Sequence, residues 1–293
     1  MDTAPSLSVV LPVYNEEKSL ETTVRRLWAV QASHPFELIV VNDGSTDGTH
    51  KQLEALADAR MTVLHHERNA GYGASIKTAV QAAAGDCILI TDADGTYPLE
   101  RIPEFHALLK DNGVHMVVGA RCGPEVNIPW VRKPAKWVLN MLANVLTERK
   151  IPDLNSGFRI MDKATMLRFL DLLPDGFSLT TTITLAMLCN RCRVLFVPIN
   201  YGKREGKSKI GPIRDTLRFL QLIVRTVMYF NPLKIFLPFS LFFILLSAGL
   251  SIYRAIYHRF FGVTSVMLFV LGIQLLATGM LADLINKRLG SRK

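Results

Sequence analysis

Two carboxylates, Asp92 and Asp94, stand two residues apart, just after the apolar run Cys87-Ile88-Leu89-Ile90-Thr91 and just before Gly95-Thr96-Tyr97-Pro98. Acidic side chains seldom sit beside a buried strand unless they are paired or bound to a cation. At a strand's carboxyl end such a pair can hold a hard divalent cation, which in turn grips a diphosphate. The Asp-x-Asp spacing is common by itself and also fits a solvated turn, so its meaning depends on the elements around it.

Those elements alternate. Leu7 to Pro12 reads as a first strand, and Asn15 is placed to cap a helix from Glu16 to about Gln31. Glu37 to Val41 is a second strand that turns at Asn42-Asp43-Gly44-Ser45, and Asp47 is placed to cap a helix from Gly48 to about Ala57. Met61 to His65 reads as strand, Ala74 to Ala84 as helix, Glu100 to Asn112 as helix and His115 to Gly119 as strand. Strand and helix in turn predict an α/β domain with a mostly parallel sheet, which binds ligands outside the carboxyl ends of its strands. Tyr14, Asn15, Asp43, Asp92, Asp94 and Arg121 all fall at such ends.

Other chemistries fit poorly. Gly71-Tyr72-Gly73-Ala74-Ser75-Ile76 lacks the third glycine of a dinucleotide loop and does not follow a first strand, and there is no Walker loop. His65-His66 falls in no metal-ligand pattern. Cys189-x-x-Cys192 has no second pair or nearby histidine, so its thiols read as incidental. Four cysteines do not make a disulfide framework, and they suit a reducing compartment.

From about Ile235 the chain changes character. Ile235–Tyr253 has no charged residue, and Val263–Ile285 has only Asp283. At about 1.5 Å per residue each spans roughly 30 Å, the thickness of a hydrocarbon core. The alternative is a pair of buried core helices. The short connector 254–262 favours a hairpin with both ends on one side. Lys287, Arg288, Arg292 and Lys293 after the second span, and basic residues before the first, place both ends and the catalytic domain in the cytoplasm. Arg254 and Arg259 in the connector run against this orientation. No signal peptide is expected, because Met1 to Ser6 lead straight into a strand. The predicted organisation is a catalytic domain over 1–211, an interfacial amphipathic helix over 212–232 and a transmembrane hairpin with a basic tail over 233–293.

The formal net charge of +9 is concentrated. Eight basic and two acidic residues lie between Tyr201 and Lys234. No nucleic-acid recognition motif accompanies them, so anionic membrane lipids are the expected partner and nucleic acid is not. Arg214, Arg218, Gln221 and Arg225 recur at helical spacing, with Leu217, Leu220, Val224 and Val227 toward another face, as in a helix lying in the headgroup layer. Residues 134–149, with Trp137, read as a second element at that surface. Gly272, Ala277 and Gly279 are small residues that could pack spans closely, which leaves a homo-oligomer open.

Val10-Leu11-Pro12-Val13-Tyr14-Asn15-Glu16, then Asn42-Asp43-Gly44-Ser45, then Asp92-Ala93-Asp94-Gly95 form an ordered set. It resembles the family 2 glycosyltransferases of GT-A fold. Asp153-Leu154-Asn155-Ser156-Gly157-Phe158-Arg159 and the basic run 201–209 narrow the resemblance to polyprenyl-phosphate sugar synthases, of the dolichyl-phosphate mannose synthase and glucosyltransferase type. Asn42 departs from the family's frequent Asp-Asp-Gly-Ser but leaves Asp43 in place.

The resemblance implies a metal-dependent, inverting transfer of a hexose, mannose or glucose foremost, from a GDP- or UDP-sugar to polyprenyl or dolichyl phosphate. It implies that Pro12, Tyr14 and Glu16 line the nucleotide pocket and that Asp43 accepts a hydrogen bond from the base. Asp92 and Asp94 would handle the donor and an Mg²⁺ or Mn²⁺ ion. Arg121 and Arg132 would neutralise phosphates of donor or acceptor, Arg204 and Lys209 would meet the lipid phosphate, and Asp153 is the candidate base. A phosphate monoester has a second pKa of about 6, so the acceptor is already largely an anionic nucleophile at neutral pH. Asp153 is therefore expected to orient groups as readily as to take a proton. The competing expectations are a processive polysaccharide synthase, which usually has a Gln-x-x-Arg-Trp motif and more spans than this chain offers, and an inactive membrane scaffold.

Overall fold

The computed structural model describes residues 6–111, 113–121, 144, 148–149, 151–202, 221, 224–225, 227–229, 231–257 and 262–290. They fall into two compact units that divide at Leu222 and Ile223.

The first unit is built on a mostly parallel sheet. Its strands are β1 (Leu7–Val13), β2 (Glu37–Asn42), β3 (Met61–His65), β4 (Cys87–Ile90), β5 (Met116–Arg121), β6 (Arg159–Asp162) and β7 (Val194–Ile199), in the order β3-β2-β1-β4-β6-β5-β7. Every side chain of β1 is buried, as are Ile88, Leu89 and Ile90 of β4. Such near-continuous apolar runs, broken in β1 only by the buried Ser8, are what a parallel strand covered on both faces requires. Each fully buried aliphatic side chain contributes roughly 1.5–3 kcal/mol. The exception to the parallel pattern is β6, which runs antiparallel to both β4 and β5, with Arg159 opposite Ile90. Because of that reversal, the segment entering β6 lies at the same edge as the carboxyl end of β4.

Helices α1 (Leu20–Ser33), α2 (Thr49–Ala55), α3 (Tyr72–Ala82), α4 (Ile102–Lys110), α5 (Lys163–Phe169) and α6 (Leu179–Cys189) connect the strands. In α1, Leu20, Thr23, Val24, Leu27 and Val30 form the buried stripe at helical spacing. Asp162 caps α5 by accepting the Thr165 amide at 2.7 Å. In α6 every residue from Leu179 to Leu188 is buried, threonines included.

Two expectations about helix starts are corrected. Asn15 does not cap α1, which begins at Leu20; its φ is +55° and its side-chain carbonyl accepts the Thr46 amide at 2.8 Å. A contact with the next loop therefore takes the cap's polar group. Asp47 does not hold the cap position of α2, which Gly48 occupies; the helix starts one residue later than expected, and Asp47 Oδ1 accepts the Thr49 amide at 3.0 Å from the position before the cap.

The second unit contains two long helices, α7 (Leu233–Ile256) and α8 (Val263–Gly290). Only 11% and 17% of their most apolar windows are buried, which argues against the core-helix alternative. Leu237, Phe239, Phe242, Leu245, Val266 and Met267 are all more than half exposed. The helices are joined by polar contacts: Ser240 Oγ donates to the Gly272 carbonyl at 2.7 Å, and Ser247 Oγ to that of Ser265 at 2.6 Å. Length, apolarity and exposure give this chain the features of an integral membrane protein.

Candidate active site

The loops after β1 and β2 are stitched together. The Asn15 amide donates to Ser45 Oγ at 3.0 Å, and the Glu16 amide to Thr49 Oγ1 at 3.0 Å. Pro12 is buried within β1, while Tyr14 and Glu16 are half-buried just beyond it. Asn42, nearly fully buried, accepts the Ser45 amide and so shapes its own turn.

Asp43 is 3% exposed and faces a ring of donors. Its Oδ1 lies 2.7 Å from His66 Nδ1 and accepts the Ala70 amide at 2.9 Å, while Oδ2 accepts the Gly71 amide at 2.9 Å. His66 Nε2 lies 3.0 Å from Thr78 Oγ1, which ties the same loop to α3. Asp43 thus fastens the 66–71 segment beside the turn after β2. Gly71 follows with φ +107°, and a side chain there would lie 2.4 Å from the Asp175 carbonyl. The Gly73 amide donates to that carbonyl at 2.7 Å. The glycines of the Gly-Tyr-Gly segment allow two stretches of backbone to touch, rather than cradling a phosphate.

Asp92 and Asp94 lie just past β4, both half-buried. Asp92 Oδ1 accepts the Tyr72 hydroxyl at 3.0 Å. Asp94 Oδ1 accepts the Thr96 hydroxyl at 2.6 Å and the Thr96 amide at 3.2 Å. Burial, and next the charge of Asp92, push the Tyr72 phenol well above its usual range. The Asp92 carboxylate also abuts Gly157, where a Cβ would lie 2.7 Å from Oδ2. The Gly157 amide donates to the Tyr97 hydroxyl at 2.8 Å, and the Tyr97 ring stacks on Phe158 with centroids 5.7 Å apart.

Arg121, the last residue of β5, meets Asp153. Its Nε donates to Asp153 Oδ2 at 2.7 Å, its Nη2 to Oδ1 at 3.0 Å and its own amide to Oδ2 at 3.1 Å. The Asn155 amide adds a donor to Oδ1 at 3.0 Å. Burial alone would raise the Asp153 carboxyl, but the bonds and charge of Arg121 outweigh it and hold the group below the ordinary aspartate range. The guanidinium also lies 5.4 Å from the centre of the Tyr201 ring.

Arg159 supports this loop from beneath. It is fully buried, with Nε donating to the Ser156 carbonyl at 2.9 Å and Nη1 to the Thr180 carbonyl and Thr184 hydroxyl of α6 at 2.8 and 3.0 Å. Burial pushes its guanidinium down to about 10. Thr181 of α6 donates to the Asn155 side chain.

The structure therefore brings Asp92, Asp94, Arg121 and Asp153 to one edge of the sheet, with Pro12, Tyr14, Glu16 and Asp43 on the neighbouring strand ends. Arg132, Arg204 and Lys209 lie outside the described residues, as do 134–143 and most of 212–230. Sequence reasoning missed Tyr72, Tyr97, His66 and the supporting role of Arg159. The signal for Tyr72 was its place between two glycines; His66 was visible only as half of a His-His pair. Among the described residues no three His, Cys, Asp or Glu side chains gather as a metal cage. Two carboxylates on one turn still fit Mg²⁺ or Mn²⁺, because such ions commonly take one or two carboxylates and complete their shell with substrate phosphates and water.

Comparison with known proteins agrees with this architecture. Residues 8–170 match the family model of glycosyl transferase family 2, and residues 231–287 match that of the GtrB C-terminal hairpin. The undecaprenyl-phosphate 4-deoxy-4-formamido-L-arabinose transferase of Pseudomonas savastanoi pv. phaseolicola is 30% identical over 275 residues, covering 86% of this chain and 75% of that protein. The dodecaprenyl-phosphate galacturonate synthase of Rhizobium johnstonii is 27% identical over 302 residues, covering 96% and 88%. Glucosyl-3-phosphoglycerate synthase from Mycobacterium tuberculosis, solved with Mn²⁺, UDP-glucose and phosphoglyceric acid, shares the fold with a TM-score of 0.59 at 20% identity, covering 76% of this chain and 80% of that one.

Proposed function

The chain belongs to glycosyl transferase family 2, and from that membership we propose that it moves a sugar from a nucleoside diphosphate donor to a polyprenyl monophosphate at the cytoplasmic face of a membrane. The observation that carries this reading is the Asp92-Ala93-Asp94 turn, walled by Tyr72 and Gly157, in a chain that also bears an apolar hairpin. The relatives named above supply the acceptor class. We read the sugar as a hexose on GDP or UDP; the relatives' names add a modified pentose and a uronic acid to the donors worth testing.

An oxygen of the acceptor phosphate attacks the anomeric carbon as the bond to the diphosphate breaks, which inverts an α-linked donor and releases a nucleoside diphosphate. Pro12, Tyr14 and Glu16 line the nucleotide side, and Asp43 holds the 66–71 wall in place. Asp92 and Asp94 would hold Mg²⁺ or Mn²⁺, whose chemistry there is to neutralise charge on the departing diphosphate. Two anions must approach each other, so cations are needed around them. Arg121, Arg132, Arg204 and Lys209 are the proposed set. Asp153 acts by orienting Arg121; a carboxylate held this firmly is a weak base, and the acceptor needs little deprotonation. The hairpin keeps the catalytic unit with the lipid acceptor, both termini being cytoplasmic.

The test is to supply membranes containing the protein with a panel of labelled GDP- and UDP-sugars, Mn²⁺ and polyprenyl phosphate. Label entering a mild-acid-labile lipid from one donor supports the reading. Label entering a long polymer instead would replace it with a processive synthase.

A further inference from the structure

We propose that Tyr72 is a positioning residue, whose hydroxyl holds the Asp92 carboxylate in the orientation that receives a divalent cation. The inference rests on the reading that Asp92 and Asp94 hold that cation. An ionised carboxylate only accepts hydrogen bonds, so in the 3.0 Å contact the phenol is the donor. The contact engages Oδ1 from the first turn of α3. Gly157 closes another side of the same carboxylate, since a Cβ there would lie 2.7 Å from Oδ2 and 2.8 Å from Oδ1. Gly157 is itself held by its amide's bond to Tyr97.

Tyr72 is well fixed for this task. Its ring stacks on Phe177 with centroids 5.5 Å apart and planes 19° from parallel. The backbone on its two sides is pinned through the Gly71 amide on Asp43 and the Gly73 amide on Asp175. The chain Asp43–Gly71–Tyr72–Asp92 thus links the end of β2 to the end of β4 through one rigid loop. A donor that fixes a metal-binding carboxylate is worth about 10–100-fold in metal affinity.

Tyr72→Phe removes the hydroxyl and keeps the ring and its stack. Mn²⁺ binding to the full-length protein in detergent, with UDP or GDP present and a protein-free blank, can be read from the paramagnetic resonance of free Mn²⁺. The expected result is an affinity about 10–100-fold weaker in Tyr72→Phe, an unchanged unfolding temperature, and a KM for Mn²⁺ that rises more than kcat falls. Asp92→Asn serves as the reference and should lose the binding. Native Mn²⁺ affinity in Tyr72→Phe beside loss in Asp92→Asn would overturn the role of Tyr72 and leave the cation reading standing. Native affinity in Asp92→Asn would overturn both. A fall in unfolding temperature that accompanies the loss of affinity would assign Tyr72 to packing instead.

Discussion

The Arg121 guanidinium and the Asp153 carboxylate meet edge to edge, at 2.7 and 3.0 Å, and join the end of β5 to the loop that leads into β6. The Asp153 side chain is 5% exposed and that of Arg121 24%. Removing one partner of a buried pair costs about 3–5 kcal/mol, because the other charge is left behind. Asp153→Ala should cost about 3 kcal/mol, since Arg121 keeps some solvent contact. Asp153→Asn keeps one of the two acceptor oxygens, and so can keep the two bonds to that oxygen, which should make it less costly than the truncation. Thermal unfolding of the detergent-solubilised protein checks the order. The rate of transfer should show no titration by Asp153 above about pH 5, since its carboxyl is held below the usual range.

Asp43 gives a separable prediction. Asp43→Ala leaves the Ala70 and Gly71 amides without their carboxylate acceptor, at about 1 kcal/mol for each part-buried hydrogen bond lost. The 66–71 loop should loosen beside the nucleotide pocket. Calorimetric titration with UDP or GDP should show weaker binding, by about tenfold or more for a loss of 1.4 kcal/mol. Unaltered binding would place the nucleotide elsewhere.

Gly71→Ala tests the backbone contact itself. The new methyl meets both a φ of +107° and the Asp175 carbonyl at 2.4 Å. Strain in such a region costs about 1–3 kcal/mol before any clash is counted. The variant should unfold at lower temperature and lose transfer activity, because Tyr72 is the next residue.

Acid sensitivity should include a contribution from His106. It is a buried residue of α4, with Nε2 of His34, the residue that ends α1, at 2.9 Å from its Nδ1, and burial, then Lys110 and His34, push it down to about 4. An unfolded histidine titrates near 6.5. The unfolded chain therefore takes up this proton first as pH falls. The stability involved is complete above about pH 6.5 and drains away as pH drops toward about 4. In His106→Gln the unfolding temperature should fall less across that window than in the native protein.

Much of this site can be read along the chain, for physical reasons. The runs before Asp43 and Asp92 are continuous and apolar, so their strand character and carboxyl ends are local properties. The place of Asp153 is different. It depends on β6, four residues long, reversing direction between β4 and β5, and that choice is made by pairing across the sheet. The Tyr72–Asp92 bond is equally non-local, since α3 reaches Asp92 only because glycines let the 71–73 backbone press against Asp175. Asn15 shows local preference losing to tertiary contact: a good cap by type, it binds Thr46 instead.

The central claim is that sugar leaves the donor for a lipid phosphate. The most direct measurement is nucleoside diphosphate release by the purified full-length protein, with its preferred sugar nucleotide and Mn²⁺, with and without polyprenyl phosphate, counted against sugar recovered in lipid. Release should depend on the lipid phosphate, match the lipid-linked sugar one for one, and disappear in Asp94→Ala. Equal release without the lipid phosphate, or release unaffected by Asp94→Ala, would contradict that claim.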